Sequence, residues 1–284
     1  MTYEEQYLVY LDKILTDGKW VLNERTGEKC LTLIDYSFTY ELGDSLLLTS
    51  KQSFPLSAVA EMLGYLRGYN YANEFSMVGA NTWFANANDN KEWLNNPYRK
   101  GKDHMGKVYG AIGRDFGGND LLMDVYLDLL KGVDNRSEII TFYKPDDFDK
   151  GCLRPCLHSH HFSLLEDTMY LNSTQRSMDA ALGGNFNSIQ CYFLLLLMSA
   201  ITGNKFGKCR HTIVNNHIYE KHIDGVKEML SRKPLPATSK ITLKDWVTNI
   251  DDVIGEDNFY THAKEYVTVE GYEHLGKIDF QMAV

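Results

Sequence analysis

Positive charge is in short supply in this sequence. Lys and Arg number 29 against 38 Asp and Glu, for a formal charge of −9. That balance argues against a nucleic-acid coat, which needs a basic stripe to meet phosphate backbones. A small anion stays within reach, because a local group of arginines can hold phosphate inside an acidic protein. Cysteine is sparse too: Cys30, Cys152, Cys156, Cys191 and Cys209 form an odd set with no regular framework. Such usage reads as free thiols in a reducing cytoplasm, not as a disulfide scaffold. Long apolar runs are missing. The most apolar stretch, residues 191–201, falls short of the roughly 18 residues that a membrane span needs, and reads as a buried helix. The opening MTYEEQYLVY has neither the basic nor the apolar region of a signal peptide. Repeats, low-complexity tracts and linkers are absent as well. Residues 1–284 are therefore expected to form one cytoplasmic domain.

What is present is an ordinary globular composition, 44% apolar and 24% charged, enough for a core without disulfides or structural metal. Residues 3–17 carry helical spacing with Gly18 as a cap, and residues 20–47 are strand-like and rich in β-branched types. Residues 57–67 form a second helix with Val59, Met62, Leu63 and Leu66 on one face. Glu61 borders that face, and a carboxylate beside a core is either paired or used to handle protons. An irregular smaller lobe spans about residues 70–118, where Trp83 and Tyr109 stand out; such aromatics fill core or stack on a flat heterocycle. A helix at 119–132, a short strand at 138–143 and a strand at 168–179 follow. A central helix at 188–202 and an amphipathic helix at 217–231 complete the pattern, with His217 and Tyr219 at the start of the latter. The class is α+β.

The chemistry concentrates in residues 151–198. Cys156 stands behind Pro155, and a thiol becomes a nucleophile once a nearby cation favours its thiolate. Arg176 is the candidate cation; the bland alternative is an inert buried thiol. Cys152, Cys156, His158, His160 and His161 raise zinc, but their spacing is unlike common zinc motifs. Strand alternation would also send His161 to the face opposite His158 and His160, so no metal is expected. Arg25, on the loop Asn23-Glu24-Arg25-Thr26-Gly27, can fork onto a phosphate or pair on the surface.

Pro155-Cys156, Gln175-Arg176-Ser177-x-Asp179 and Leu182-Gly183-x-x-Phe186-Asn187 resemble the thymidylate synthase family in order and spacing. Glu24-Arg25-Thr26-Gly27, Glu61 with Leu63 and Gly68, Val108-Tyr109-Gly110, His217-Ile218-Tyr219 and the final Ala283-Val284 extend the likeness over nearly the whole chain. The resemblance implies a large mixed sheet packed sheet-to-sheet across a homodimer, with helices on the other face. It implies reductive methylation of dUMP to dTMP, with 5,10-methylenetetrahydrofolate giving the carbon and the hydride. Cys156 would attack C6 of the uracil ring, while Glu61 and Tyr109 manage the C5 proton. Arg25, Arg176, Ser177 and the partner's Arg136 would hold phosphate. Gln175, Asp179 and Asn187 would hold the pyrimidine side, with Asn187 reading the uracil edge; His217 and Tyr219 would hold the deoxyribose. Lys51, Trp83, Asp179, Leu182 and Phe186 would meet the folate, and Ala283 and Val284 would close over it. The chain departs from the family pattern at Gly64, Asn86, Ser137 and Leu157. Those changes leave a dUMP hydroxymethylase as an alternative, in which water captures the one-carbon unit, and a non-catalytic nucleotide binder as a lower one. Neither membrane nor DNA binding is expected.

Overall fold

A computed structural model describes residues 1–24 and 27–281. The chain opens on α1 (Tyr3–Asp17), whose start is set by a capping box between Thr2 and Glu5. Strands β1 (Lys19–Asn23) and β2 (Glu28–Glu41) follow, then α2 (Pro55–Arg67). Pro55 begins α2, where no backbone N–H is needed, and Gly68 ends it in the left-handed conformation that glycine adopts freely. The irregular region holds four short helices: α3 (Ala72–Val78), α4 (Phe84–Asn88), α5 (Lys91–Leu94) and α6 (Gly110–Gly113). Next come α7 (Leu121–Leu130), β3 (Ile139–Thr141), β4 (Leu157–Leu165), β5 (Thr168–Asp179), α8 (Gly184–Thr202) and β6 (Lys205–Tyr219). The chain continues through α9 (Ile223–Ser231), β7 (Lys240–Leu243), α10 (Asp251–Ile254) and β8 (Val267–Glu270).

Six strands form one mixed sheet in the order β1-β2-β6-β5-β4-β3, and β7 pairs with β8 in a small ribbon. Every neighbouring pair in the large sheet is antiparallel except β5 and β6. A parallel pair needs a crossover, and α8 supplies it. Helix α8 is 19 residues long and apolar enough to cross a membrane by length and composition, yet most of it is buried within the protein. It is the core helix, packed with α2 against the sheet. The same hydrophobic core holds Leu63, Phe162, Leu171, Ile213 and the aromatic group Tyr7, Tyr10, Phe38 and Tyr40.

Across the strand-like residues 20–47 run two antiparallel strands, β1 and β2. Two stretches differ from the sequence reading. Helix α8 starts at Gly184, four residues earlier than expected, which brings Asn187 into its first turn. The helix expected from 217 begins only at Ile223, after a 3-10 turn over Glu220–His222. His217 and Tyr219 therefore end strand β6, which is hydrogen-bonded on both sides by β2 and β5. Sheet pairing of the run Thr212-Ile213-Val214 wins over the helical spacing that follows it. Period-two spacing still places His217 and Tyr219 on one face.

Candidate active site

Register places the thiol. Leu157 of β4 pairs with Gln175 of β5, so Cys156 lies opposite Arg176, whose backbone N–H donates to the Cys156 carbonyl at 2.9 Å. The guanidinium is then pinned. Arg176 Nε donates to the Pro155 carbonyl and Nη2 to the Arg154 carbonyl, each at 2.9 Å. Nη2 also lies 3.4 Å from Cys156 Sγ. The Cys156 backbone N–H donates to the Tyr109 hydroxyl at 3.0 Å, which ties the thiol segment to the turn before α6. A fixed cation beside a half-exposed sulfur is the setting that favours thiolate. The other cysteines contrast with it: burial pushes the Cys152 and Cys191 thiols up to about 12 and Cys209 well above its ordinary value. A cleft of about 910 Å³ opens on the Arg176 side, lined also by Arg154, Trp93 and Phe148. Its lining does not include Asn187, Glu61 or His217.

Glu61 is buried inside α2. Its Oε1 accepts from the Tyr65 hydroxyl at 2.7 Å and from Gln190 Nε2 at 3.0 Å, and Oε2 accepts from the Thr82 hydroxyl. Burial raises the carboxyl pKa, and those three donors oppose the rise without cancelling it. Tyr109, buried beside it, has its hydroxyl held well above the ordinary value by burial and then by the Cys156 charge.

A chain of amides continues from Gln190. Gln190 Oε1 accepts from Asn187 Nδ2 at 2.8 Å, and Asn187 Oδ1 accepts from Gln175 Nε2 at 3.0 Å. Gln175 Nε2 also donates to the Ser177 carbonyl, and its Oε1 faces His211 Nε2 at 2.8 Å. Since the Ser177 oxygen only accepts, the whole series is oriented. Burial drives the His211 pKa down to about 3, so the ring stays neutral.

Asp179 and His217 are neighbours across β5 and β6. Asp179 Oδ1 accepts from the backbone N–H groups of Ala181 and Leu182 at 3.0 and 3.2 Å, and Oδ2 lies 3.4 Å from His222 Nδ1. Burial favours neutral His222, but Asp179 and the Gln281 carbonyl outweigh it and raise the pKa. His217 Nδ1 meets Asn215 Oδ1 at 2.9 Å, and the His217 and Tyr219 rings touch edge to face at 5.1 Å.

The expected folate-side residues spread around this centre. Trp83 is buried, edge to face with Tyr109 and Tyr65, and its Nε1 meets no partner among the described residues. Leu182 and Phe186 are half-buried at the turn into α8. Lys51 is buried; its Nζ donates to the Ala181 carbonyl at 3.0 Å and lies 5.2 Å from the Phe280 ring centre. Burial lowers its pKa to about 8, with Asp179 pulling the other way. Arg136 is not gathered here. It is exposed on the loop before β3, with a positive φ of 66° and its N–H on Asp134. Arg25, Ala283 and Val284 lie outside the described residues. No group of three or more His, Cys, Asp or Glu side chains poised for a metal occurs among the described residues.

Sequence reasoning missed Tyr65, Thr82, Gln190, His211 and His222. Helical spacing carried two of these signals, since Glu61 and Tyr65 are an i, i+4 pair and Asn187 and Gln190 an i, i+3 pair.

A family model described as thymidylate synthase matches residues 5–284. The chain belongs to the thymidylate synthase family. A thymidylate synthase of Glaesserella parasuis serovar 5 is 48% identical over 99% of this chain and 100% of its own length. One of Shewanella frigidimarina is 51% identical over 92% of this chain and 98% of its own, and one of Marinomonas sp. 53% over 87% and 93%. Within that thymidylate synthase frame, two departures have local explanations. A Cβ at Gly64 would fall 2.3 Å from the Phe75 ring, so Phe75 takes the space of a larger residue. Leu157 is buried at the head of β4 and brings no polar atom to the thiol.

Proposed function

We propose that the chain is a thymidylate synthase, a methyltransferase that converts dUMP to dTMP. The observation that carries this reading is the Arg176 guanidinium 3.4 Å from Cys156 Sγ, beside an amide series that ends on a buried carboxylate. A uracil C5 is a poor nucleophile until a thiolate adds to C6, which pushes electron density through the ring onto C5 and O4. Cys156 makes that bond, and Arg176 favours the thiolate and helps hold the phosphate. Asn187 reads the pyrimidine edge: its amide donates to O4 and accepts from N3–H, whereas cytosine presents the reverse pattern. Gln175 and Gln190 hold that amide in one orientation. His217 and Tyr219 hold the deoxyribose; Ser177, Arg25 and a partner protomer's Arg136 complete the phosphate site. Glu61, with Tyr109, handles removal of the C5 proton, which leaves to water as the one-carbon unit takes its place on C5.

5,10-Methylenetetrahydrofolate supplies the one-carbon unit and the hydride when bound. The orphaned, buried Trp83 Nε1 beside the Tyr109 and Tyr65 rings suits a planar heterocycle with an acceptor at its edge. By the family resemblance Asp179, Leu182, Phe186 and Lys51 would meet the same cosubstrate, and Ala283 and Val284 would close over it. Their task is to keep water from the reacting carbon, because captured water diverts the product to the 5-hydroxymethyl nucleotide. The relatives compared all bear the thymidylate synthase name, which favours the methyl product.

The enzyme works as a homodimer in the cytoplasm. Its strands present exposed apolar Trp20, Leu22, Ile34 and Val214, a surface that calls for a partner, and no disulfide joins cysteines among the described residues. Mass analysis of the product from dUMP and 5,10-methylenetetrahydrofolate tests the reading. A product one CH2 heavier than dUMP is expected, and a hydroxymethylated or unchanged nucleotide overturns it.

A further inference from the structure

Glu61 is held by three donors that do not divide evenly between its two oxygens. Oε1 accepts from both the Tyr65 hydroxyl at 2.7 Å and Gln190 Nε2 at 3.0 Å, while Oε2 accepts from Thr82 alone. We propose that Tyr65 is a positioning residue that, together with Gln190, saturates Oε1 and so assigns the mobile proton of Glu61 to Oε2. This rests on the proton-handling role given to Glu61 above.

Three observations support it. Gln190 has to present its NH2 to Glu61, because its own Oε1 already accepts from Asn187 Nδ2 at 2.8 Å. The Tyr65 ring cannot swing the hydroxyl away. It stacks on Tyr109 at 4.4 Å and 5° between planes, and meets Phe75 edge-on at 5.9 Å. Tyr65 also keeps its proton throughout the working range, since burial and then Glu61 itself hold its pKa well above the ordinary value. A proton on Oε1 would meet the Gln190 NH2, which can only donate, as well as the Tyr65 hydroxyl; on Oε2 it meets one hydroxyl that can rotate to accept it.

Two titratable hydroxyls lie closest to Glu61. Tyr65 lies on α2 itself and Tyr109 on the turn into α6. Cys156 acts on both of those hydroxyls, and Arg176 on Tyr109. Thr82, before α4, and Gln190, on α8, are neutral. Burial favours the protonated carboxyl, so each donor removed tips Glu61 further that way.

Tyr65→Phe keeps the stacked ring and deletes only the hydroxyl. Turnover of dUMP is expected to fall roughly tenfold with KM for dUMP unchanged, and the acid limb of the kcat profile to move to higher pH by roughly one unit. The infrared band of protonated Glu61, identified by its loss in Glu61→Gln, should persist to higher pH in Tyr65→Phe. A superimposable pH profile and band titration, or a loss confined to KM, overturns the proposal. The band titration needs no turnover. If the parent protein forms no dTMP, the functional reading fails while this measurement still decides the role of Tyr65.

Discussion

Two buried carboxylates, Glu4 and Glu61, meet burial in opposite ways. Glu4, in the first turn of α1, is nearly inaccessible, and its oxygens accept four donors from residues 49 and 50, two of them backbone N–H groups. Backbone donors cannot rotate away, so Glu4 staples α1 to the loop before α2. Glu61 has three donors, all from side chains, and only one of them on Oε2. Hydroxyls can turn from donor to acceptor when a proton arrives. The same residue type at similar depth is thus a structural anchor in one place and, under the proposed function, a proton carrier in the other. Burial alone does not distinguish them; the kind of donor does.

The contrast can be broken most forcefully by neutralising each carboxylate. Glu61→Gln is expected to lower kcat by roughly a hundredfold or more while shifting urea-unfolding stability by less than about 1 kcal/mol. Glu4→Gln should do the reverse. It turns an NH2 toward donors and costs about 2–3 kcal/mol, with kcat per folded molecule retained. If both variants lose activity and stability together, the distinction collapses.

A second experiment sharpens the contrast between an oriented amide and a bare acceptor. Asn187→Asp removes the donor that uracil O4 needs, so kcat/KM should shift from dUMP toward dCMP by roughly tenfold or more, read in competition assays. Unchanged discrimination would remove Asn187 from the pyrimidine edge.

The smallest effect concerns a third carboxylate, Asp179, and its His222 partner. Because the folded pKa of His222 is raised, its contribution to stability is fully present below the ordinary imidazole pKa of about 6.5 and is lost as pH rises through the raised value. The stability gap between the parent and His222→Phe should be roughly 1 kcal/mol near pH 6 and shrink toward pH 9. A gap that does not vary with pH would show that the ring acts only by packing.

Much of the fold was legible, for reasons that differ by element. Helices α1 and α2 announce themselves by apolar spacing and by Gly18 and Gly68 at their ends. The core helix α8 was legible as an apolar run, though its start was not: Gly183 and Gly184 look like a turn, yet Gly183 caps the helix and Gly184, packed close to Tyr7, is its first residue. The end of β6 was misread because His217 and Tyr219 fit a period of two and precede a genuine helical pattern. At the candidate site, the spacing of Cys156, Arg176, Asp179 and Asn187 could be read from the chain. Their orientation could not. Tyr65, Thr82, Gln190 and His211 belong to four separate segments, and a sequence carries no direct sign that they share one hydrogen-bonded series.

By itself the sequence determined the α+β class, the family and the residue types that bear the chemistry, because local periodicity, caps and motif order are properties of neighbours along the chain. The tertiary structure alone decided which Glu61 oxygen is saturated, which way the amides of Gln175, Asn187 and Gln190 point, and that Cys156 faces Arg176 while Cys152, Cys191 and Cys209 face apolar core. Those are matters of distance and direction between segments far apart in sequence, and only packing and strand register set them.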